Sequence, residues 1–486
     1  MRRRVLALLA LASAIAIAPR AGAQQVDPKT ATSAAPAAPA AAAPAGGDAP
    51  GPRAEAAAVA PGTRYTLRQC LDLADRNHPN VLQAAAKLDY YRAQLDEARS
   101  APFTNFALTA GAGPAPTFRG GPVYTQDREV GLKSSLGMAW RAGIDGTVPL
   151  WTFGKITNTW RAAEAQIDLG AEELKKAKNG VRTDVRRAYF GLQLARDALA
   201  LLGEAAEKLD GALSLLRKRV KDGEGDDIDL LRLETARAEL DGRLAEAQRG
   251  ERVALSALRF YTGVDQGFDI PESPLKPPKH SLAEVAKYLE IARGKRPEIN
   301  MARAGLRARE AQVDLAKSRL MPDIGLGLFW SYGRAPEITD QFNPFVRDDA
   351  NYLRYGFGVG LRWQLDFLPG AARVRQAEAQ LSETKQLYRY ALGGVSVEVE
   401  KAYNEAVEAQ KKVEAYKRAS KFARQWMIKV SQGIDVGLME ERELVDPARQ
   451  YALQRYSYLA SLMDLNMAMA NLAEKTGWDE VAEASE

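Results

Sequence analysis

Leu353-Arg354-Tyr355-Gly356-Phe357-Gly358-Val359-Gly360-Leu361-Arg362-Trp363-Gln364-Leu365-Asp366-Phe367 alternates without a break. Successive side chains of an extended chain point to opposite sides. Leu353, Tyr355, Phe357, Val359, Leu361, Trp363, Leu365 and Phe367 would therefore share one face, and Arg354, Gly356, Gly358, Gly360, Arg362, Gln364 and Asp366 the other. One face suits hydrocarbon and the other water. Upstream, Ile324, Leu326, Leu328, Trp330 and Tyr332 alternate with Asp323, Gly325, Gly327 and Ser331, the pattern of a strand partner. A further strand-like region spans about 103 to 150. Within it Leu132, Leu136, Met138, Trp140, Ile144 and Val148 alternate with Lys133, Ser135, Gly137, Arg141, Asp145 and Thr147. Trp330, Tyr332 and Trp363 near the strand ends suit the aromatic girdles of a membrane barrel. A strand packed on a soluble core alternates in the same way, so the decision rests on the rest of the chain.

Each strand region gives way to a long helical stretch. Positions of about 154 to 220 include Val181, Val185, Ala188, Leu192, Ala195, Leu199, Leu202, Ala206, Leu209, Leu213, Leu216 and Val220, an unbroken 4-3 alternation. Positions of about 371 to 434 carry Val395, Val399, Ala402, Ala406, Ala409, Val413, Tyr416, Ser420, Ala423, Met427, Val430 and Ile434 in the same rhythm. Both are coiled-coil seams, and at 1.5 Å per residue each helix would run on the order of 100 Å. Asp222-Gly223-Glu224-Gly225-Asp226-Asp227 and Gly433-Ile434-Asp435-Val436-Gly437 turn the chain, and shorter helices return over about 228 to 261 and 440 to 475. Ahead of the first strand region a helix covers about 66 to 100, with Pro79 marking a break.

These elements occur twice. Leu71, Pro79, Ala93-Gln94, Asp96, Ala98 and Ser100 recur 218 positions later as Leu289, Pro297, Ala311-Gln312, Asp314, Ala316 and Ser318. Phe153, Ala163-Glu164-Ala165-Gln166, Val181, Val185, Ala188-Tyr189, Gly223 and Thr262-Gly263 recur at a spacing of 214, ending in Thr476-Gly477. Shared helix composition alone would not hold register so long, so an internal two-fold duplication organises the chain.

The N-terminus sets the compartment. Arg2-Arg3-Arg4, the apolar run Val5 to Ala18 and the small residues Ala21-Gly22-Ala23 make a secretory signal peptide, 1–23. Residue 24 is Gln rather than Cys, so an acyl anchor is not expected. An Ala/Pro-rich disordered linker fills 24–62. The first repeat then covers 63–263, a connector with Pro271, Pro274, Pro277 and Pro278 covers 264–281, the second repeat 282–478 and a tail 479–486. No later stretch offers an uninterrupted apolar span of about 20 residues, so a membrane role must be built from strands. The formal charge is +5, but four arginines and no acid leave with the signal peptide, so nucleic-acid binding is not expected. One cysteine, Cys70, and two histidines, His78 and His280, leave metal, cofactor and His-based catalysis almost no raw material. Gly356-x-Gly358-x-Gly360 lies inside an alternating strand, not between strand and helix, so it is no nucleotide loop. The chain is not expected to be an enzyme.

Four strands per chain cannot close a barrel, since the smallest membrane barrels have about eight. Unpaired edges are intolerable in lipid, so neighbouring copies must complete the wall. The expected fold is an α+β membrane protein: a trimeric β-barrel of about twelve strands on a long α-helical barrel. Lys133, Arg141, Arg354, Gly356, Gly358, Gly360 and Arg362 would line the lumen. Leu136, Met138, Trp140, Leu326, Leu328, Trp330, Phe357, Val359, Leu361 and Trp363 would face lipid.

Three stretches carry a resemblance: Tyr65-Thr66-Leu67 with Cys70-Leu71, Ala74 and Asn77-His78-Pro79 near the start, Pro149-Leu150-Trp151-Thr152-Phe153-Gly154 at the strand-to-helix crossover, and the starts of the return helices. They are similar to the opening motif, the crossover and the tip pattern of the TolC-like outer-membrane efflux protein family, which the chain resembles from about 65 to 478. The resemblance implies a homotrimer in the outer membrane of a Gram-negative cell, reaching into the periplasm, with an equatorial domain. It also implies docking with a periplasmic adaptor (membrane fusion) protein and an inner-membrane transporter, as the exit duct of an efflux or type I secretion-like system. By the same resemblance Arg219, Gly223, Asp229, Leu230 and Leu231, with Gly437, Glu443, Leu444 and Val445, would contact the adaptor. Val220 and Ile434 stand where the motif has Tyr, and Gly433 where it has Arg, which leaves the adaptor's identity open. Asp222, Glu224, Asp226, Asp227 and Asp435 at the turns would form cation-attracting rings if repeated threefold; an ordinary solvated turn is equally acidic. A structural or adhesive trimeric coiled coil without conduction is the competing reading.

Overall fold

The computed structural model describes residues 64–103, 105–117, 133–223, 226–265, 267–338, 345, 347–436, 438–439 and 441–483. The expected signal peptide and linker lie outside them, as do Glu224, Gly437 and the side chains of Lys133 and Asp435.

The chain opens with α1 (Leu67–Asn77) and α2 (Pro79–Ser100), continues through β1 (Phe106–Thr117) and β2 (Lys133–Trp151), and then enters α3 (Lys155–Lys221) and α4 (Asp227–Thr262). The same order recurs as α5 (Val285–Lys295), α6 (Pro297–Ser318), β3 (Asp323–Arg334), β4 (Tyr352–Arg362), α7 (Phe367–Asp435) and α8 (Val445–Thr476). Short 3-10 turns at Glu441–Leu444 and Asp479–Ala482 flank α8. The break expected at Pro79 is real. His78 is extended, and its Nδ1 accepts the Asn80 N–H at 3.2 Å, capping α2 just ahead of the proline.

The strands form one antiparallel sheet in the order β1-β2-β3-β4. Below it the first part of α3 packs on α2 and α6, fixed by Trp160 donating to the Ala98 carbonyl at 2.8 Å and Asn158 to Ser318 Oγ at 3.1 Å. Its second part packs on α4 and α8, and α7 packs first on α6 and then on α8. The result is a long helical bundle joined to a four-stranded sheet. Every 4-3 seam position of α3 is buried or half-buried, and so is every one of α7 except Tyr416. The spacing therefore reports real helix-on-helix packing.

The core sits at mid-length, where the connector closes in. Phe268, Ile270 and Leu275 are buried against Cys70, Val185, Leu192 and Leu258. A second cluster gathers Tyr288, Ile299, Val399, Ala406 and Met469. Charge binds this girdle: Arg182 meets Asp75 at 2.7 Å and Asp479 at 3.0 Å, and Arg186, only 4% exposed, meets Asp479 at 2.7 Å. The C-terminal turn is thereby fastened to α3.

One expectation fails at the sheet's lower rim. Trp363, Leu365 and Phe367 do not extend the last strand: β4 stops at Arg362, paired with Asp323, and Phe367 is already helical. β3 begins at Asp323, so nothing remains for 363 onward to pair with. Pro369, with no N–H to donate, suits the first turn of α7. Trp363 instead donates its indole N–H to the Leu320 carbonyl at 3.0 Å and lies edge-on to Phe367. The corresponding Phe153, unlike Phe367, does not start a helix: it adopts φ 48 in a turn before Gly154, φ 89, and α3 begins at Lys155.

Candidate functional site

Strand register decides which side chains share a face, because directly opposed residues point the same way. Leu108, Ile144, Trp330 and Tyr355 form one row across all four strands. Val148, Leu326 and Val359 form another, and Gly146, Leu328 and Phe357 a third. Leu136, Met138 and Trp140 share this face opposite Pro116, Pro114 and Ala112. Phe357 is 81% exposed and Val359 68%, so the single chain leaves a broad apolar surface uncovered. Such a surface marks a membrane or protein contact.

The opposite face has other chemistry. Thr109, Gly143, Ser331 and Arg354 form a row, and Gly111, Arg141, Gly333 and Tyr352 the next. Gly327 pairs with Gly358 and Gly325 with Gly360. All the glycines and arginines assigned from the sequence to a lumen therefore fall together on this face, and Lys133 has its backbone opposite Thr117. Phe329 breaks the pattern. It stands on the glycine face beside Gly356, where a Cβ would lie 2.8 Å from its ring. β1 and β4 each have one strand neighbour, so both sheet edges are unpaired among the described residues.

At the far end of the helices, Gly223 closes the first turn at φ 78, with its N–H on the Val220 carbonyl at 3.1 Å. Asp226 caps α4 through the Ile228 N–H at 2.9 Å, and Asp227 and Asp229 sit in the first turn, where the helix dipole favours acids. Asp229 also meets Arg232 at 3.2 Å. Part of the tip's acidity thus has a local structural cause, while Asp222 remains exposed beside Gly223. Arg219 and Leu231 are exposed and Leu230 half-buried. At the second turn the Leu438 and Met439 N–H groups both reach the Gly433 carbonyl, at 2.8 and 3.2 Å. Met439 packs where a larger residue at 433 would stand. Glu443 is exposed, and Leu444 and Val445 are half-buried.

The residues with reactive potential have structural duties. Burial pushes the Cys70 thiol up to about 12, which removes the reactive thiolate. His280 Nε2 lies 2.9 Å from the Tyr288 hydroxyl, and burial lowers both histidines from their ordinary value. Among the described residues no group of His, Cys, Asp and Glu could hold a metal, and no helix is long and apolar enough to cross a membrane.

The family model of the outer membrane efflux protein matches residues 70–264 and again 288–477. The chain belongs to that family. Among individual relatives, protein CyaE of Bordetella pertussis is 27% identical over 362 residues, 72% of this chain and 70% of CyaE. The outer membrane protein TolC of Vibrio cholerae is 23% identical over 431 residues, 85% of this chain and 92% of TolC. Among solved structures the fold matches the open state of the Neisseria gonorrhoeae MtrE channel, with a TM-score of 0.69, 17% identity, 86% of this chain and 91% of that one. It also matches CusC, with a TM-score of 0.68, 16% identity, and coverage of 87% and 93%. As a member of the outer membrane efflux protein family, the chain is a non-catalytic efflux channel of the outer membrane that extends into the periplasm.

Proposed function

We propose that three copies close the open sheet into a barrel of about twelve strands, with β4 of each copy pairing with β1 of the next. The observation that carries this reading is the sheet itself: one face apolar and uncovered, the other Gly, Arg and Ser, with two edges that lipid would not tolerate unpaired. The helices would extend the tube, with α2, α4 and α7 at the joints between copies. Each long helix spans on the order of 100 Å. Internal duplication is supported by the repeated element order and by the family model matching twice.

In this reading the glycine-arginine face lines the lumen and the Leu, Val, Phe and Trp face meets lipid. The tips around Arg219, Gly223, Asp229, Leu230 and Leu231, and around Gly437, Glu443, Leu444 and Val445, dock a periplasmic adaptor that links the duct to an inner-membrane transporter. Exposed Leu231 and exposed Arg219 leave the first tip accessible to such a partner. The acids Asp222, Glu224, Asp226, Asp227 and Asp435 at the entrance then attract cations when repeated three times. No specific observation favours a non-conducting adhesin, which has no use for an uncovered apolar sheet face.

Purified protein added to a planar bilayer is expected to give discrete conductance steps and to migrate as a heat-modifiable trimer. A protein that stays monomeric and silent at every voltage and salt concentration contradicts the reading.

A further inference from the structure

The two halves of the chain close the same corner with different chemistry. In the first, Asn77 Nδ2 donates to the Thr262 carbonyl at 2.9 Å, which seats the end of α1 on the end of α4, and His78 and Pro79 lead into α2. In the second, Lys295, Arg296 and Pro297 stand 218 positions on and meet Gly477 at the end of α8. Position 78 is therefore answered by 296, and both side chains are buried, at 3% and 5% exposed. The Arg296 cation is matched where it lies: its Nε donates to Glu298 at 3.2 Å and its Nη2 to Glu398. A buried cation needs such partners.

His78 has lost half of that support. Glu298 is answered by Asn80, which has no charge, and Glu398, at the spacing of 214, by Asp184. Asp184 does favour a charged His78, but it is already paired with Arg187 at 3.0 Å. The rest of the corner supplies no further carboxylate. Asp75 of α1 is held by Arg182 at 2.7 Å, Arg76 and Arg259 in the last turns of α1 and α4 add like charge, and Phe260 and Tyr261 present rings at 5.5 and 5.6 Å. Because His78 Nδ1 accepts the Asn80 N–H at 3.2 Å, the proton of the neutral ring sits on Nε2. Nε2 is buried with no hydrogen-bond partner among the described residues. A second proton would land on Nδ1 and remove the acceptor that caps α2.

We propose that His78 makes the α1–α2 corner a proton-operated joint: neutral, it caps α2 and keeps the corner shut; protonated, it releases the first turn of α2. The inference rests on the duplication read above, which supplies the equivalence of 78 with 296. Burial holds His78 below its ordinary value of about 6.5 in the closed corner, so an open corner binds the proton more tightly. The corner is therefore most stable above about pH 6.5 and loosens as the pH falls from there toward the closed corner's lower value. Arg296 keeps its charge throughout, so the second half does not respond. α1 contributes Cys70 and Ala74 to the core at mid-length, and release of the corner slackens that girdle in the first half alone. The channel extends into the periplasm, where an acid medium reaches the joint.

Amide hydrogen exchange of the purified protein in detergent tests this, read at the start of α2 for the parent and for His78→Asn. Asparagine caps a helix as well as any residue and does not titrate. Dividing parent by variant at each pH cancels the chemistry of exchange itself. The ratio is expected to stay level above pH 7.5 and to rise about fivefold by pH 5.5, one proton setting a ceiling of about tenfold over that span. The start of α6, beside Arg296, is expected to show no such rise. A ratio that stays flat at α2, or an equal rise at α6, overturns the joint. Should His78→Asn not fold, His78→Ser supplies another strong cap for the same comparison. Asn80→Glu restores the carboxylate that the second half carries at 298 and is expected to flatten the acid response. If Asn80→Glu responds like the parent while His78→Asn does not respond, the proton site stands and the equivalence of the two halves fails.

Discussion

Phe357→Arg is expected to abolish stable trimers, whereas Gly358→Arg, one residue on, leaves them assembled. Phe357 is the central residue of β4, in register with Leu328 and Gly146 on the uncovered apolar face. Arginine at the bilayer midplane on the lipid side of a barrel costs about 2–4 kcal/mol. Repeated in three copies this becomes roughly 6–12 kcal/mol, comparable with the entire stability of a typical domain, about 5–15 kcal/mol. Gly358 points the other way, and a Cβ there meets no atom within 4 Å. An arginine at 358 adds charge to a wetted wall without crowding it. The check is detergent extraction of outer membranes followed by unheated electrophoresis. A trimer band lost for Phe357→Arg and kept for Gly358→Arg is the expected result, with anion preference raised in single channels of the second.

Gly477→Ala is the second substitution of large effect. Gly477 ends α8 at φ 69, a left-handed conformation that a side chain disfavours. Its added Cβ would also lie 2.8 Å from the Lys295 carbonyl oxygen and 3.0 Å from its carbon, both backbone atoms that cannot step aside. Strain of this kind costs about 2–3 kcal/mol. It would fall where the last helix meets the α5–α6 junction, beside the Asp479 clamp on Arg182 and Arg186. Gly394→Ala supplies the opposite sign. It lies inside α7 with open space around its Cβ position, so alanine there should stabilise by about 0.5–1 kcal/mol through helix propensity. Denaturant midpoints of the trimer in detergent, read by far-UV circular dichroism, should move down for Gly477→Ala and up for Gly394→Ala.

The parts of this molecule legible in its sequence are those where one periodicity has no rival. Gly356, Gly358 and Gly360 between Phe357, Val359 and Leu361 leave no doubt about parity, and strand register carries that parity from β4 across to β1. Alanine-rich 4-3 seams mark the long helices, because side chains three and four apart meet on one helix stripe. Strand ends are harder to read. Trp363, Leu365 and Phe367 keep the alternation although the partner strand has already run out at Asp323; pairing is a property of two segments, and periodicity of one. Phe329 is hidden among small and polar residues of its own face because its justification, Gly356, lies across the sheet. The contacts that Arg354 and Arg141 make beyond their strands are likewise invisible in sequence. Arg354 and Arg141 read as lumen residues by parity, but their hold on Asp348 and Asp349 depends on the direction a loop takes. Arg186 announces nothing in sequence; its burial comes from the C-terminal turn folding back onto α3. The tips lie between these cases. The acids are conspicuous, yet Asp226 is spoken for as a helix cap.

The central claim is that neighbouring side chains of the sheet live in different solvents once copies of the chain close around a duct. Nitroxide labels placed singly from Leu353 to Leu361 in the reconstituted trimer measure this directly, through collisions with oxygen dissolved in lipid and with a nickel chelate dissolved in water. The account predicts two curves of period two in opposite phase, oxygen highest at Tyr355, Phe357 and Val359 and nickel highest at Gly356, Gly358 and Gly360. Two curves that rise and fall together, or show no period at all, would contradict it.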